Sequence, residues 1–275
     1  MAVGTGKGRD GEPQTPLEHF GEEVRLERVR LGIEREDLGK EAFCGYSLVA
    51  KIEAGKRVPS REFADACDRL FPHGHGRFSR LANFVLRCGF PEAFRQYVKL
   101  EEDAACIQRF HPMLVPGLLQ TEEYARAIMA TGRSRNPEEH VQARMARQRI
   151  LEREHPPQLW VILEYAVLRR VIGGPEVMRG QLSRLLELET TPPHVMQIMP
   201  ETVAAYHGCC SPFGLLSFDE GADVAHVDGY PRGYLLAGPE DVARARQSFE
   251  LLKASALSPY ESYRLIESVL KERYS

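Results

Sequence analysis

The sequence lacks the features that mark several large classes of protein. No apolar run approaches the roughly 18 residues that a helix needs to cross a bilayer, so we expect no membrane partner. Residues 1–14 contain no apolar core of a secretion signal and are rich in glycine, proline and charge instead. That composition predicts a disordered tail and a cytoplasmic protein.

Cysteine is present only in arrangements that exclude the common cysteine sites. The six cysteines form no C-x-x-C pair, and no histidine cluster has the spacing of zinc ligands. A bridge between the adjacent Cys209 and Cys210 would be strained. His73 and His75 lie in a glycine-rich stretch that is typical of a solvated loop. We therefore predict no metal site, no cofactor and reduced thiols.

Catalytic signatures are absent as well. The chain has no G-x-S-x-G nucleophile elbow, no H-E-x-x-H pair and no phosphate-binding loop. Glu164 and the acids within residues 219–228 share no spacing that defines a reaction. We predict that the protein is not an enzyme, and an enzyme of unknown reaction stays as one alternative.

A compact pattern of residue types is present at residues 38–61, which read LGKEAFCGYSLVAKIEAGKRVPSR. A short helical pattern stops at the corner formed by residues 43–45, and a second helical pattern covers residues 46–53 and ends at Gly55. Two short helices joined by a tight turn form a helix-turn-helix, whose second helix can enter a DNA major groove. This segment therefore predicts binding to double-stranded DNA.

Five side chains of this segment are candidates for DNA contact. Val49 and Ile52 lie three positions apart and would bury one face of the second helix, which leaves the opposite face outward. The candidates are Tyr46, Ser47 and Lys51 for base edges or phosphates, and Lys56 and Arg57 for phosphates. The whole chain has a net charge of −3, but residues 38–61 carry five Lys or Arg against two Glu, a local charge of +3.

The same segment resembles the repressor-type helix-turn-helix of phage and bacterial regulators. The matching residues are Leu38, Ile52, Glu53, Gly55, Lys56, Arg57, Pro59 and Ser60. That family usually has glycine where Phe43 stands and Ser or Thr where Gly45 stands. The turn geometry and the start of the recognition helix therefore stay open by one or two residues. A protein-interaction module with little DNA binding is the second hypothesis.

The remaining pattern predicts an α+β protein with two domains. We predict an all-α helix-turn-helix bundle at residues 15–93, followed by a mixed α/β domain with a small sheet at residues 94–275. Strands are expected at 159–165, 194–199, 213–218 and 224–227, the last two as a hairpin. Helices are expected at 92–108, after a Thr121 cap, and at 137–153, 175–188, 239–254 and 258–274.

Residues outside the DNA-binding part carry a second resemblance. The matching residues include Glu101, the block 115–121, Arg144, Arg147, Gln148, Glu164, Met178 and Pro200. They are similar to the Scr1-type, antitoxin-like helix-turn-helix regulators of actinomycetes, a group that includes WhiJ-like developmental regulators. The resemblance implies a transcriptional regulator whose C-terminal domain docks a small partner protein encoded nearby.

Four residues of the C-terminal domain are candidates for contact with a ligand or partner, namely Arg144, Arg147, Glu164 and Gln120. Clustered arginines and helix starts attract anions, although the arginines also fit a solvated helix face. A carboxylate buried without a partner is costly, so we expect Glu164 to pair with an arginine of the 137–153 helix. A single, weakly basic helix-turn-helix binds modestly, which predicts a homodimer on two half-sites.

Overall fold

The computed structural model describes residues 16–72, 75–87, 93–131, 137–191, 193–203, 205–206, 211–229 and 233–274. The expected tail at residues 1–14 lies outside these ranges, as do His73, Cys209 and Cys210. The predicted fold class is confirmed, because a helical N-terminal region is followed by helices and a six-stranded mixed sheet.

The N-terminal region is helical throughout its described residues. Its helices are α1 (Pro16–Arg30), α2 (Arg35–Glu41), α3 (Tyr46–Glu53), α4 (Arg61–Leu70) and α5 (Arg77–Arg87), and α6 (Ala93–Glu102) leads into the sheet. Apolar side chains that recur on one face of these helices meet in a common core. Phe20, Val24, Val49, Ile52 and Phe63 are all buried there.

Two glycines allow the close approach of these helices. A Cβ at Gly21 would collide with the backbone oxygen of Ile52, so α1 can pack on α3 only without a side chain there. A Cβ at Gly39 would lie 2.6 Å from the backbone oxygen of Cys44, where the chain folds back after α2. These contacts set the position of α3 against the rest of the bundle.

The C-terminal region is built on one mixed sheet. Its strands are β1 (Cys106–His111), β2 (Gln158–Glu164), β3 (Val195–Met199), β4 (Phe213–Ser217), β5 (Val224–Val227) and β6 (Tyr234–Leu236). Their order is β3-β2-β1-β4-β5-β6. Strands β1, β2 and β3 are parallel, whereas β4, β5 and β6 join antiparallel. The four predicted strands correspond to β2 to β5, and the predicted hairpin is β4–β5.

Strand β1 corrects the helix predicted over residues 92–108. The helix ends at Glu102, and the chain enters the centre of the sheet at Cys106. The prediction was wrong because β1 buries Arg109 and His111 together with its apolar residues, which removes the alternation typical of a strand. Strand β6 was missed as well, since three residues are too short to show a period.

The remaining helices cover the two faces of the sheet. They are α7 (Glu122–Ala130), α8 (Pro137–Gln148), α9 (Tyr165–Arg169), α10 (Pro175–Leu186), α11 (Pro239–Ser255) and α12 (Pro259–Arg273). Helix α11 packs on β4 and β5 over a cluster that includes Phe213 and Phe249. The buried residues of the opposite face form one continuous core with those of the N-terminal helices.

Candidate nucleic-acid interface

Helices α2 and α3 and the turn between them form the predicted helix-turn-helix. Helix α3 begins at Tyr46, and Gly45 is its N-cap with an extended backbone at φ −80°. Phe43, rather than a glycine, takes the left-handed turn conformation at φ 54°. That conformation costs a residue with a side chain about 1–2 kcal/mol. The aromatic ring at this strained position is 93% exposed.

Gly55 ends α3 as predicted, and two conditions require glycine there. Its backbone is left-handed at φ 65°, and a Cβ would lie 2.7 Å from Cγ of Glu18 on α1. The chain therefore leaves α3 close against α1. Lys56 follows at once with an exposed side chain, as a phosphate contact needs.

A buried ion cluster holds α3 in its orientation. Glu53 accepts hydrogen bonds from Nε of Arg28 at 2.6 Å and from Nε of Arg35 at 2.8 Å. Arg28 also donates to the backbone oxygen of Ile33 at 2.8 Å. Because removal of one partner would leave a buried charge, this cluster resists any rotation of α3.

The first turn of α3 presents the predicted reading face. Tyr46 is 49% exposed, and its hydroxyl accepts a hydrogen bond from Nη1 of Arg35 at 3.0 Å. Ser47 beside it is exposed. The guanidinium of Arg35 lies 5.5 Å from the centre of the Tyr46 ring, so it both orients that ring and adds a positive charge.

Arg57, predicted as a phosphate contact, does not lie at the surface in this structure. Its side chain is 3% exposed, its guanidinium stacks 3.1 Å from the Phe218 ring centre, and its Nη2 donates to the backbone oxygen of Glu220. Burial lowers the pKa of Arg57 to about 10. Nη1 has no hydrogen-bond partner among the described residues. Such an orphaned buried donor costs about 1–3 kcal/mol.

Lys51 is also engaged by the C-terminal region. Its Nζ lies 3.0 Å from Oδ1 of Asp103, which follows α6 directly. Leu48, on the same flank of α3, is only 7% exposed, and a Cβ on Gly221 would lie 3.5 Å from it. The β4–β5 turn, residues 218–223, therefore covers the flank of α3 that carries Leu48 and Lys51.

Two clefts border the contact between α3 and the β4–β5 turn. A cleft of about 290 Å³ is lined by Ser47, Lys51 and Asp219, among others. A cleft of about 320 Å³ has Phe43, Cys44 and Glu220 in its lining. A Cβ on Gly45 would lie 3.6 Å from both carboxylate oxygens of Glu220. The acid side chain thus faces the N-terminus of α3, where a helix attracts negative charge.

Gln120 and Arg144, two of the C-terminal candidates, contact each other. Nη1 of Arg144 donates to the buried amide oxygen of Gln120 at 2.8 Å. The amide nitrogen of Gln120 donates to the backbone oxygen of Val115 at 2.7 Å. Gln148 donates to the backbone oxygens of Gly117 and Gln120 at 2.7 and 2.8 Å. Side chains of α8 therefore clamp the Pro-Gly turn at residues 115–121.

Arg147 and Glu164 do not join that contact. Arg147 pairs with Glu101, its Nη2 lying 2.7 Å from Oε1, and the Glu101 side chain is 1% exposed. The expected ion pair of Glu164 with this helix is wrong, because Glu164 accepts from the Tyr206 hydroxyl at 2.8 Å. Glu101, near the end of α6, pairs with Arg147 of this helix instead. The four candidates thus lie in three separate places.

Glu101 belongs to a buried polar network between α6, α8, β1 and β5. The Tyr97 hydroxyl donates to Glu101 at 2.7 Å and accepts from Nη1 of Arg109 at 2.9 Å. Nη2 of Arg109 donates to Asp228 at 2.8 Å. Although burial opposes it, the charge of Arg109 lowers the pKa of Asp228. Burial raises the pKa of the Tyr97 hydroxyl.

Two histidines complete this network. His111 and His226 lie 3.1 and 3.2 Å from the guanidinium of Arg109. Burial, with the positive charge of Arg109, lowers the pKa of each to about 3. Both rings are therefore neutral near pH 7. The arrangement satisfies buried charges and joins the end of α6 to the sheet.

Several residues at the interface were not singled out by the sequence. Asp103 lay inside the helix predicted over residues 92–108, Phe218 at the end of a predicted strand, and Glu220 in the predicted hairpin turn. Arg35 carried no signal beyond its charge. Among the described residues, no group of three or more His, Cys, Asp or Glu side chains could hold a metal ion. No described helix is long and apolar enough to cross a membrane.

Two family models match this chain. The model described as "Helix-turn-helix domain" matches residues 19–72, which hold most of α1 and all of α2 to α4. The model described as "Domain of unknown function (DUF5753)" matches residues 94–268. The chain belongs to the DUF5753 family. Its DUF5753 region holds the whole sheet, and its helix-turn-helix domain suggests a DNA-binding regulator. No curated protein and no solved structure is significantly similar to the chain.

Proposed function

We propose that this protein is a sequence-specific DNA-binding transcriptional regulator of the Scr1-type, antitoxin-like group, acting in the cytoplasm. The observation that carries the proposal is the outward first turn of α3, where Tyr46 and Ser47 are exposed and Glu53 holds the helix rigidly. Side chains in this position of a helix-turn-helix contact base edges in the major groove. Lys56 supplies a phosphate contact beside them.

The proposal includes a homodimer and a partner for the DUF5753 region. One copy offers few basic side chains, and helix-turn-helix proteins of this kind add affinity by binding two half-sites together. The resemblance to antitoxin-like regulators supports a small partner protein or an effector as the signal. Mass spectrometry of the intact protein, purified without denaturation from its source, tests this by the molecule that stays bound.

A protein-interaction module with little DNA binding is the second candidate function. One observation favours it: Arg57 is buried and Lys51 is paired with Asp103, so two of the five expected DNA contacts are occupied. We propose no enzymatic activity. The polar network around Arg109 is buried except at Asp228, and each of its charges has a partner within the protein.

Base readout by α3 is the most direct test of the proposed function. Tyr46→Ala and Ser47→Ala are expected to relax sequence preference, each lost base contact reducing discrimination by about 1–3 kcal/mol. Lys56→Gln is expected to weaken binding to all duplexes equally and to make the salt dependence less steep. Fluorescence anisotropy on related duplexes at several salt concentrations measures both effects.

Arg61→Gln is the matched control, since Arg61 is exposed at the start of α4 and outside the reading face. This substitution removes one positive charge, as Lys56→Gln does, and is expected to leave the sequence preference unchanged. If Tyr46→Ala and Ser47→Ala bind every duplex as the parent does, α3 is not the reading helix and the interaction module is favoured.

A further inference from the structure

The flank of α3 that carries Leu48 and Lys51 is covered by residues far away in the sequence. Asp103 pairs with Lys51 at 3.0 Å, and Arg57 is buried between the Phe218 ring and the backbone oxygen of Glu220. Both cations therefore bind oxygen acceptors, which are a carboxylate for Lys51 and a backbone carbonyl for Arg57. The phosphates of DNA also offer oxygen acceptors to such cations.

The space around α3 decides whether DNA can bind in this arrangement. An α-helix with its side chains is about 10–12 Å across, and the major groove is about 12 Å wide. A helix lying in that groove therefore has no room for a β-turn on its flank. In this structure the β4–β5 turn lies against that flank, with Gly221 beside Leu48 and Glu220 facing Gly45.

We propose that Asp103 and the β4–β5 turn compete internally with DNA for α3, so that these groups leave α3 before the protein binds its site. The inference rests on the proposed function, because it names how DNA binding by α3 is regulated. Asp103 holds Lys51, and the β4–β5 turn holds Arg57, until a duplex or a signal at the DUF5753 region displaces them. The closed arrangement is thus the form with low affinity for DNA.

Three features of the contact of α3 with Asp103 and the β4–β5 turn favour its opening. Nη1 of Arg57 is buried without a partner among the described residues, the Lys51 side chain is 40% exposed in its ion pair, and clefts border the turn. The turn itself is firm. Asp223 accepts from the backbone nitrogen of Phe218 at 3.2 Å and pairs with Arg246 of α11. The turn therefore leaves α3 as a unit.

DNA affinity of full-length variants tests this inference. Asp103→Asn removes the partner of Lys51, and Glu220→Ala removes the acid that faces α3. Each is expected to tighten binding to the duplex that the parent prefers by about fivefold or more, within the usual range of coupling between sites. Glu240→Ala is the matched control, because Glu240 is an exposed acid at the start of α11. It makes the same change in net charge and is expected to leave affinity within twofold of its parent value.

A second measurement reports opening without DNA. Cys44 lines the cleft beside Glu220, so alkylation of its thiol by iodoacetamide is expected to accelerate in Asp103→Asn, which leaves the surroundings of that thiol unchanged. Peptide mass spectrometry separates Cys44 from the other cysteines. Faster alkylation with tighter binding supports the inference.

The outcomes distinguish the two proposals. If the parent binds DNA and both variants bind with equal or lower affinity, the internal competition is contradicted while the proposed function stands. If the variants bind DNA and the parent does not, the proposed function and the internal competition are both supported. If the parent and both variants fail to bind any duplex, the proposed function is contradicted, and the competition inferred from it falls as well.

Discussion

Phe43 adopts a backbone conformation that is unfavourable for a residue with a side chain. Its backbone is left-handed at φ 54°, and the residue is 93% exposed. The backbone conformation is therefore strained, and burial of the ring does little to offset that strain. Strain of this kind persists at functional sites. The turn before α3 is such a place, because its shape sets where the reading face begins.

Phe43→Gly is therefore expected to stabilise the protein against unfolding by about 1 kcal/mol, because glycine adopts the left-handed conformation without penalty. Urea unfolding followed by circular dichroism measures the change. Gly55→Ala is the opposite control, since its backbone at φ 65° and the contact with Glu18 make a side chain unfavourable there. Lower stability of Phe43→Gly would show that the ring makes a contact worth more than the strain.

Arg147 is expected to be structural rather than a ligand contact. It pairs with Glu101, whose side chain is 1% exposed, so Arg147→Ala leaves a buried carboxylate without its partner. The expected loss of unfolding free energy is about 3–5 kcal/mol. Arg153 is an exposed arginine after the same helix, and it donates to the backbone oxygen of Glu102. Arg153→Ala is expected to change stability by no more than about 0.5 kcal/mol. Chemical denaturation that ranks the two equally would return Arg147 to the list of candidate ligand contacts.

The helices and strands differ in how far the sequence alone could specify them. Helix α3 was predicted from Tyr46 to Glu53 because its signals are local: Gly55 ends it, and Val49 and Ile52 give its period. The first three residues of β1 were predicted as the end of a helix, because Arg109 and His111 stand where apolar residues would mark a strand. Asp228, the partner of Arg109, lies 119 positions away in the sequence, and no local pattern indicates this contact.

The residues of the candidate interface were likewise predictable where local signals place them and not where long-range contacts do. Tyr46 and Ser47 were placed correctly on the outward face, since helical periodicity determines that face. The burial of Arg57 was not predictable, because Glu220 lies 163 positions away. The pairing of Arg147 with Glu101, rather than with Glu164, depends in the same way on how α6 and α8 meet. Long-range contacts explain each of these differences.

The network joining α6, β1, α8 and β5 is expected to make the fold sensitive to acid. His111 and His226 have pKa values of about 3 in the folded protein against an ordinary value of 6.5. The unfolded chain therefore binds more protons between these values. Stability is fully present above pH 6.5 and falls as the pH drops towards 3, by up to about 1.4 kcal/mol per pH unit for each histidine.

His226→Gln is expected to make this pH dependence less steep by about the contribution of one histidine. Urea unfolding at pH 4, 5, 6 and 7 compares the slope of stability against pH for the parent and the variant. His155→Gln, at an exposed position, is the control and should leave the slope unchanged. An unaltered slope in His226→Gln would mean that this ring is already able to take up a proton in the folded protein.

At the scale of the whole molecule, the helix-turn-helix domain and the DUF5753 region meet at α3, through Asp103 after α6 and through the β4–β5 turn. Helix α6 contributes Glu101 to the network in the sheet domain, and Asp103, directly after it, pairs with Lys51 of α3. A change in the DUF5753 region can therefore reach the reading helix through this contact. This connection is the physical basis for expecting that a signal bound by one region alters DNA binding by the other.

The measurement that tests the account most directly is selection of duplexes by the full-length protein from a random library. We expect one motif to be enriched, with two related half-sites about 10 base pairs apart, because two copies of α3 would read successive major grooves on one side of the DNA. Tyr46→Ala is expected to weaken that enrichment. Recovery of no motif, with equal affinity for every duplex at physiological salt, would contradict the account and leave the helix-turn-helix as a protein-interaction module.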